Sequence, residues 1–213
     1  MSGNAGQIPW TRTCVSQAEE ARIRTAVRET DAVAGGFSRG RVLRPGDAAS
    51  LLRLFEEPTI GPVIYTLPRP LTHASVLAFI RDHLDQRARG EGILVASFNA
   101  DDQVSGYFDV ELWPQWGAAK FGGAVSSARQ GRGFGAEGGL AAIEWCFDVA
   151  GVHRLCETTA HDNHRSIRLL RRIGFVQLGE VVSVRPDGST RPSLYWEMER
   201  EVWAARRQVR KTG

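Results

Sequence analysis

The chain has 213 residues, 42% of them hydrophobic and 24% charged, which suits one ordinary domain with a normal core. Its net charge of +3 and pI of about 9.0 favour an anionic small ligand and are far too weak to signal nucleic-acid binding. Cys14, Cys146 and Cys156 form neither a disulfide framework nor a zinc motif and read as reduced, buried thiols in a cytoplasmic protein, while no apolar run is long enough to span a membrane and no apolar signal region opens the chain.

Residues 1–15 carry no periodic pattern. Ser16-x-x-Glu19 is a capping box, and the sequence to Val33 suits a helix that Gly35-Gly36 ends. This helix is read as a packing element, with a cover over a sheet edge, a homodimer contact or a gate on the substrate cleft as alternatives. Gly40 to Arg44 reads as a short strand. Asp47 then caps a helix from Ala48 to Glu56. Pro58, Gly61, Pro62, Pro68 and Pro70 make a loop. Thr72 caps a second helix through Val76, Leu77, Ile80 and Leu84, ending at Gly90. Gly92 to Asn99 and Val104 to Leu112 form a hairpin. Trp113 and Trp116 bracket Pro114 as loop anchors or as an aromatic wall. Ala118 to Val125 is a strand.

After that strand comes a glycine loop, Ser126 to Glu137, and then a helix with Leu140, Ile143 and Phe147 at spacings of three and four. His153 to Thr159 is the next strand. Asn163 opens a helix whose face is Ile167, Leu170 and Ile173. Val176 to Arg185, the turn Pro186-Asp187-Gly188, and Arg191 to Glu199 close the fold as a hairpin. The tail, with Arg206, Arg207, Arg210 and Lys211, reads as a frayed basic helix on a solvated surface. The order is that of an α/β domain with a mixed sheet and helices on both faces. Residues 1–38 are an extension, 39–200 the domain, and 201–213 the tail.

The glycine loop carries the chemistry. A strand, a Gly-rich turn and a helix N-terminus aim several backbone N–H groups at one point, and the helix dipole adds positive potential. Arg129 and Arg132 bring charge to the same place. This is a site for a phosphate or pyrophosphate. Gly133-x-Gly135-x-x-Gly138 matches the dinucleotide fingerprint, with Glu157 near the position of a ribose-binding acid. Yet Gly133 stands well past the strand end at Val125, where that fingerprint wants its first glycine. The competing pattern is Gln130-x-x-Gly133-x-Gly135.

That second pattern resembles the acyl-CoA pyrophosphate loop of the GNAT family of N-acetyltransferases. Asn163-x-x-Ser166-Ile167-x-Leu169-Leu170-x-x-x-Gly174-Phe175 resembles the family's second motif at the expected separation. The likeness runs from about Arg41 to Arg200 and is nearest the branch that acetylates ribosomal-protein N-termini and small amines. It implies a mostly antiparallel sheet in which two parallel strands, Ala118 to Val125 and His153 to Thr159, splay apart. The pantetheine arm of acetyl-CoA then lies in the gap. The resemblance assigns cofactor contacts to Ala124, Val125, Gln130, Gly131, Arg132, Gly133, Phe134, Gly135, Ala136, Asn163 and Ser166. It makes the partners acetyl-CoA and an amine acceptor, with no membrane or nucleic acid.

The implied reaction is direct attack of a neutral amine on the thioester. The oxyanion takes a hydrogen bond from the backbone N–H at about Val125. Much of the family protonates the departing thiolate with a tyrosine seven residues after the motif asparagine, and this chain has Leu170 there. In the nearest branch a serine at the position of Ser166 faces the sulfur, so Ser166 takes that role. Many members carry a basic glutamate on the strand before the loop, where this chain has Lys120. Asp109 and Glu111 are the substitutes chosen, with Glu157 and His161 as further ones. A longer acyl donor such as succinyl-CoA, a dinucleotide-dependent oxidoreductase and a CoA-binding module without turnover remain the alternatives.

Overall fold

The computed structural model describes residues 8–33, 40–64, 66–185 and 188–212, with side chains to residue 208. Gly35-Gly36, Pro186 with Asp187, and the side chains of Arg210 and Lys211 therefore lie outside the described residues.

Helix α1, Gln17–Glu29, starts on the expected capping box: Glu19 N–H donates to Ser16 Oγ while the Glu19 carboxylate takes the Ser16 N–H. It is shorter than its sequence suggests, and Thr30 closes it. Strand β1 is only Arg41–Val42. Helix α2, Ala48–Phe55, follows a 3-10 turn at Pro45–Asp47. Here the expectation for Asp47 is corrected. Its carboxylate does not cap α2 but accepts the Arg44 N–H at 2.7 Å and pairs with the Arg41 guanidinium. The 3-10 turn already supplies the geometry of the entry, so the carboxylate is spent one turn earlier.

Helix α3, His73–Arg89, begins on Thr72, which accepts the Ser75 N–H, and stops at Gly90 with φ 72°. Strands β2, Gly92–Phe98, β3, Val104–Trp113, and β4, Ala118–Val125, form an antiparallel meander. Helix α4, Phe134–Glu144, widens into a π-type turn at Trp145–Ala150. Strand β5, Arg154–Ala160, helix α5, His164–Ile173, and strands β6, Val176–Val184, and β7, Thr190–Glu199, follow, and helix α6, Arg200–Thr212, ends the fold.

The seven strands lie in the order β1-β2-β3-β4-β5-β7-β6. Every pair is antiparallel except β4 with β5. Alternation along the strands gives each face its own core. On one face Val95, Phe108, Val110, Leu155 and Trp196 meet α1, α4 and α5. On the other, Leu94, Ala96 and Tyr107 meet α2 and α3. The N-terminal segment straps across β7 on that second face: Trp10 stacks on Tyr195 at 4.4 Å, and Thr11 donates to the Glu197 carboxylate.

Two further expectations resolve here. Helix α1 is a packing helix, with Ile23 and Val27 fully buried. The tail is not merely solvated, because Trp203 of α6 is 4% exposed and joins the main core. Its arginines are engaged as well: Arg206 donates to the Arg172 carbonyl and Arg207 pairs with Glu144 and Asp148. A basic helix with one buried tryptophan is hard to tell from a solvated one by charge pattern alone.

Candidate active site in a split sheet

Strands β4 and β5 are paired at Ala118 with Arg154 and Ala119 with Leu155, and no further. Above those pairs the strands diverge. Phe121 N–H, which a continuing ladder would have bonded, instead donates to Glu157 Oε1 at 2.9 Å. In an antiparallel ladder a residue's N–H and C=O point to the same side. The Phe121 bond therefore fixes the parity of β4: residues 121, 123 and 125 turn their backbone groups toward β5. The gap widens into a cavity of 290 Å3 lined by β4 from Phe121 to Val125, by Gly135 and Ala136, by Glu157 to Thr159, and by Ser166 and Leu170 of α5.

The two glycines of β4 do different work. A side chain on Gly123 would start 2.4 Å from the Tyr107 carbonyl oxygen, so β3 comes too close for any other residue. A side chain on Gly122 would meet nothing within 4 Å. Gly122 lines both this cavity and a second one formed with α3 and β3.

The loop at the top of the gap is held from both sides. Gln130 Nε2 donates to the Val125 carbonyl and to Thr59 Oγ1. Ser127 N–H donates to Glu57. Arg129 donates to Ser97 Oγ and lies over the Phe134 ring at 4.7 Å. Gly131 and Gly133 have φ of 75° and 88°, in the left-handed region that favours glycine. Among the described residues, the N–H groups of Gly131, Arg132, Gly133, Phe134 and Gly135 donate to no protein acceptor. They crown the first turn of α4, where the helix dipole is positive. Arg132 is exposed beside them. Arg165 of α5 is a cation that sequence reasoning missed. Its Nη2 is 4.0 Å from where a side chain on Gly135 would begin.

Asn163 and Ser166 sit together at the start of α5. Asn163 Oδ1 accepts the Ser166 N–H at 3.1 Å and so caps the helix. Among the described residues the amide nitrogen of Asn163 and the hydroxyl of Ser166 have no hydrogen-bond partner, and Ser166 lines the cavity while Asn163 stands outside its lining.

Asp109 and Glu111 are brought to the second cavity, 250 Å3 in volume, rather than to Ser166. There they share walls with Phe79, His83, Lys120 and Gly122. His83 Nδ1 faces the Phe79 carbonyl at 2.7 Å and Nε2 faces Asp109 Oδ1 at 3.1 Å. With an acceptor at each ring nitrogen, the arrangement suits an imidazolium. Burial alone would lower the His83 pKa, but the Asp109 bond and charge and the Phe79 carbonyl outweigh it and raise it. His83 is another residue the sequence reading passed over. Its signal is the stripe Val76, Ile80 and His83, all buried on one face of α3.

Lys120 lies 3.6 Å from Glu111. Burial works against its charge, and Glu111, Glu157 and Asp109 together hold its pKa above the ordinary lysine value. Glu157 goes the other way. Burial pushes its carboxyl up to about 8, against the Phe121 N–H and Lys120, which pull it down. His161 stands apart, 45% exposed and 3.7 Å from Glu180 at the surface. Trp113 and Trp116 are loop anchors, Trp113 against the Cys156–Tyr195 cluster and Trp116 under Arg12.

This geometry also removes the dinucleotide reading. That fold needs paired βαβαβ units in a parallel sheet, and this sheet has one parallel pair that parts after two rungs. Glu157 points into the gap instead of toward a ribose.

Comparison with known proteins agrees. A search of curated protein sequences gives no match. Solved structures with the same fold include the ribosomal-protein-S5-alanine acetyltransferase of Vibrio fischeri, at 16% identity and a TM-score of 0.65, covering 77% of this chain and 93% of that one. Mycobacterium smegmatis RimJ in complex with CoA-disulfide gives 21% and 0.64, over 76% and 81%. A variant of the spermidine N-acetyltransferase SpeG of Vibrio cholerae gives 18% and 0.63, over 78% and 98%. Residues 41–176 match the family described as "Acetyltransferase (GNAT) domain". With that match spanning more than half its length, the chain belongs to the GNAT family of N-acetyltransferases.

Proposed function

We propose that the chain moves the acetyl group of acetyl-CoA to a primary amine, by direct attack in a ternary complex. It belongs, on this reading, to the branch of the family that acetylates ribosomal-protein N-termini and small amines. The observation that carries the reading is the β4–β5 gap lying directly beneath a loop of undonated N–H groups. An arm with amides can replace the missing rungs, and a pyrophosphate can take the N–H groups at the α4 N-terminus.

Gly131, Arg132, Gly133, Phe134 and Gly135 supply those donors, Gln130 braces the loop, and Arg129 and Arg132 add charge. Ala124, Val125 and Ala136 flank the arm. The Asn163 amide nitrogen donates to it, while its oxygen serves the helix cap. The amine gives up its ammonium proton to Asp109 or Glu111 across Gly122, which lines both cavities. Its lone pair then attacks the thioester carbon, and the N–H of Gly123, turned into the gap two residues below Val125, stabilises the oxyanion. As the C–S bond breaks, Ser166 Oγ donates a hydrogen bond to the thiolate, which ends as the free thiol with the second proton of the nitrogen. The names of the structural neighbours, an alanine acetyltransferase of a ribosomal protein and a spermidine acetyltransferase, make peptide N-termini and small amines the acceptors to try first. All three cysteines are unpaired, which supports a cytoplasmic setting; Cys146 and Cys156 are buried as expected, but Cys14 is exposed because it lies in the N-terminal segment outside the core.

The experiment is a thiol-release screen with acetyl-CoA against N-terminal peptides, polyamines and aminoglycosides. Release dependent on at least one of these classes is expected. Tight CoA binding with no release by any class would point to a binding module without turnover.

A further inference from the structure

The β4–β5 gap has a floor, and one side chain makes it. Glu157 is 8% exposed, and its bond to Phe121 N–H ties the two strands together just above their last shared rung, Ala119 with Leu155. Below that bond the strands are closed. From Val125 down to Phe121 the gap runs four residues, about 13 Å at the usual strand rise. A linear ligand whose anionic end rests on the loop meets this floor with its other end. Resting on the acyl-CoA reading, we propose that Glu157 is the donor-specificity residue of this enzyme, admitting a short uncharged acyl group and rejecting longer or anionic ones.

Two physical effects act at this floor. The first is room. The carboxylate, held by Phe121 N–H, blocks extension of an acyl chain toward the closed part of the sheet. The second is charge. The charges that reach Glu157 through the sheet are Lys120 of β4 and Asp109 of β3, both lining the second cavity, and the buried thiols Cys146 and Cys156 feel the Glu157 charge in turn. Helix α5 offers the cavity only Ser166, Leu169, Leu170 and Ile173. Lys120 is the cation of this group, and it is shared among Glu111, Glu157 and Asp109. Among the described residues, the lining of this cavity holds no lysine or arginine to pair with the distal carboxylate of a succinyl group. Two carboxylates in a poorly solvated site cannot both ionise without a large penalty. The penalty is greatest once Glu157 is ionised, above about pH 8.

The test uses calorimetric titration of CoA, acetyl-CoA, butyryl-CoA and succinyl-CoA into the wild type, Glu157→Gln and Glu157→Ala, at pH 7 and pH 9. Affinities are read as ratios to acetyl-CoA within each protein, so changes in overall stability cancel. In the wild type, butyryl-CoA should bind at least about tenfold more weakly than acetyl-CoA at both pH values. The deficit of succinyl-CoA should grow from about tenfold at pH 7 to about a hundredfold at pH 9. Glu157→Gln should abolish that growth and keep the size limit. Glu157→Ala should relieve both. Butyryl- and succinyl-CoA binding the wild type within about threefold of acetyl-CoA overturns the proposal, as do unchanged ratios in both variants. Should neither variant fold, a succinyl ratio in the wild type that stays flat from pH 7 to pH 9 also overturns it. Failure of CoA itself to bind overturns the acyl-CoA reading beneath it.

Discussion

Ser166 and Glu157 show how one residue's surroundings decide its use. Ser166 gives its N–H to the Asn163 cap, and its hydroxyl has no partner among the described residues, at a position that lines the cavity. A hydroxyl can stabilise a departing thiolate but is a poor acid. Ser166→Ala should therefore lower kcat by about ten- to a hundredfold, equivalent to about 1.4–2.7 kcal/mol, with CoA affinity little changed. Steady-state kinetics beside direct CoA titration checks this, and an unaltered kcat with chemistry rate-limiting would mean that water protonates the sulfur. For Glu157 the folded carboxyl titrates at about 8, against about 4.3 for an unfolded glutamate. The folded state thus holds this proton more tightly. Its contribution to stability is complete below about pH 4.3 and is lost as pH rises through 8. Denaturation of the wild type and Glu157→Gln from pH 5 to pH 9 should show the wild type losing ground by on the order of a few kcal/mol. Parallel pH profiles would contradict the burial of this charge.

At the scale of elements, the loop and the helix it opens act as a unit. Gly133 has φ 88°, and a side chain there would meet only Glu137, at 3.9 Å. The positive φ, not crowding, favours glycine here. Gly133→Val should leave a folded protein that no longer binds CoA, because a β-branched residue resists positive φ. Circular dichroism with CoA titration decides this, and tight binding by the folded variant would sink the loop's role. This element was legible in the sequence because its signals are local: glycines, a strand before, a helical period after. The capping box at Ser16 and the caps at Thr72 and Asn163 were legible for the same reason. What stayed hidden is what depends on distant partners. Asp47 looked like a helix cap, yet Arg41 and Arg44 claim its carboxylate. His83 carries no local motif, and only the fold sets it against Asp109, 26 residues away in sequence.

On the scale of the molecule, the split sheet is the organising feature, with residues 10 and 11 packed on β7 and Trp203 of α6 packed into the main core. The strands and the two hairpins were readable from alternating patterns and turns, while the parallel pair at β4 and β5 followed only from the resemblance and the placing of β7 between β5 and β6 was not called. The burial of the tail was not readable, since Trp203 is one apolar residue in a basic helix. Trp203 is 4% exposed within the main core, so Trp203→Ala should destabilise the protein by about 3–5 kcal/mol. A melting temperature unchanged by that substitution would return α6 to the surface. The account as a whole stands on an acyl-CoA lying in the β4–β5 gap. The most direct test is the thermal shift of the wild-type protein with acetyl-CoA and, separately, with NAD. Acetyl-CoA at a hundredfold excess over its Kd should add about 2.7 kcal/mol of stability and NAD none; an equal shift with NAD, or no shift with acetyl-CoA, would contradict it.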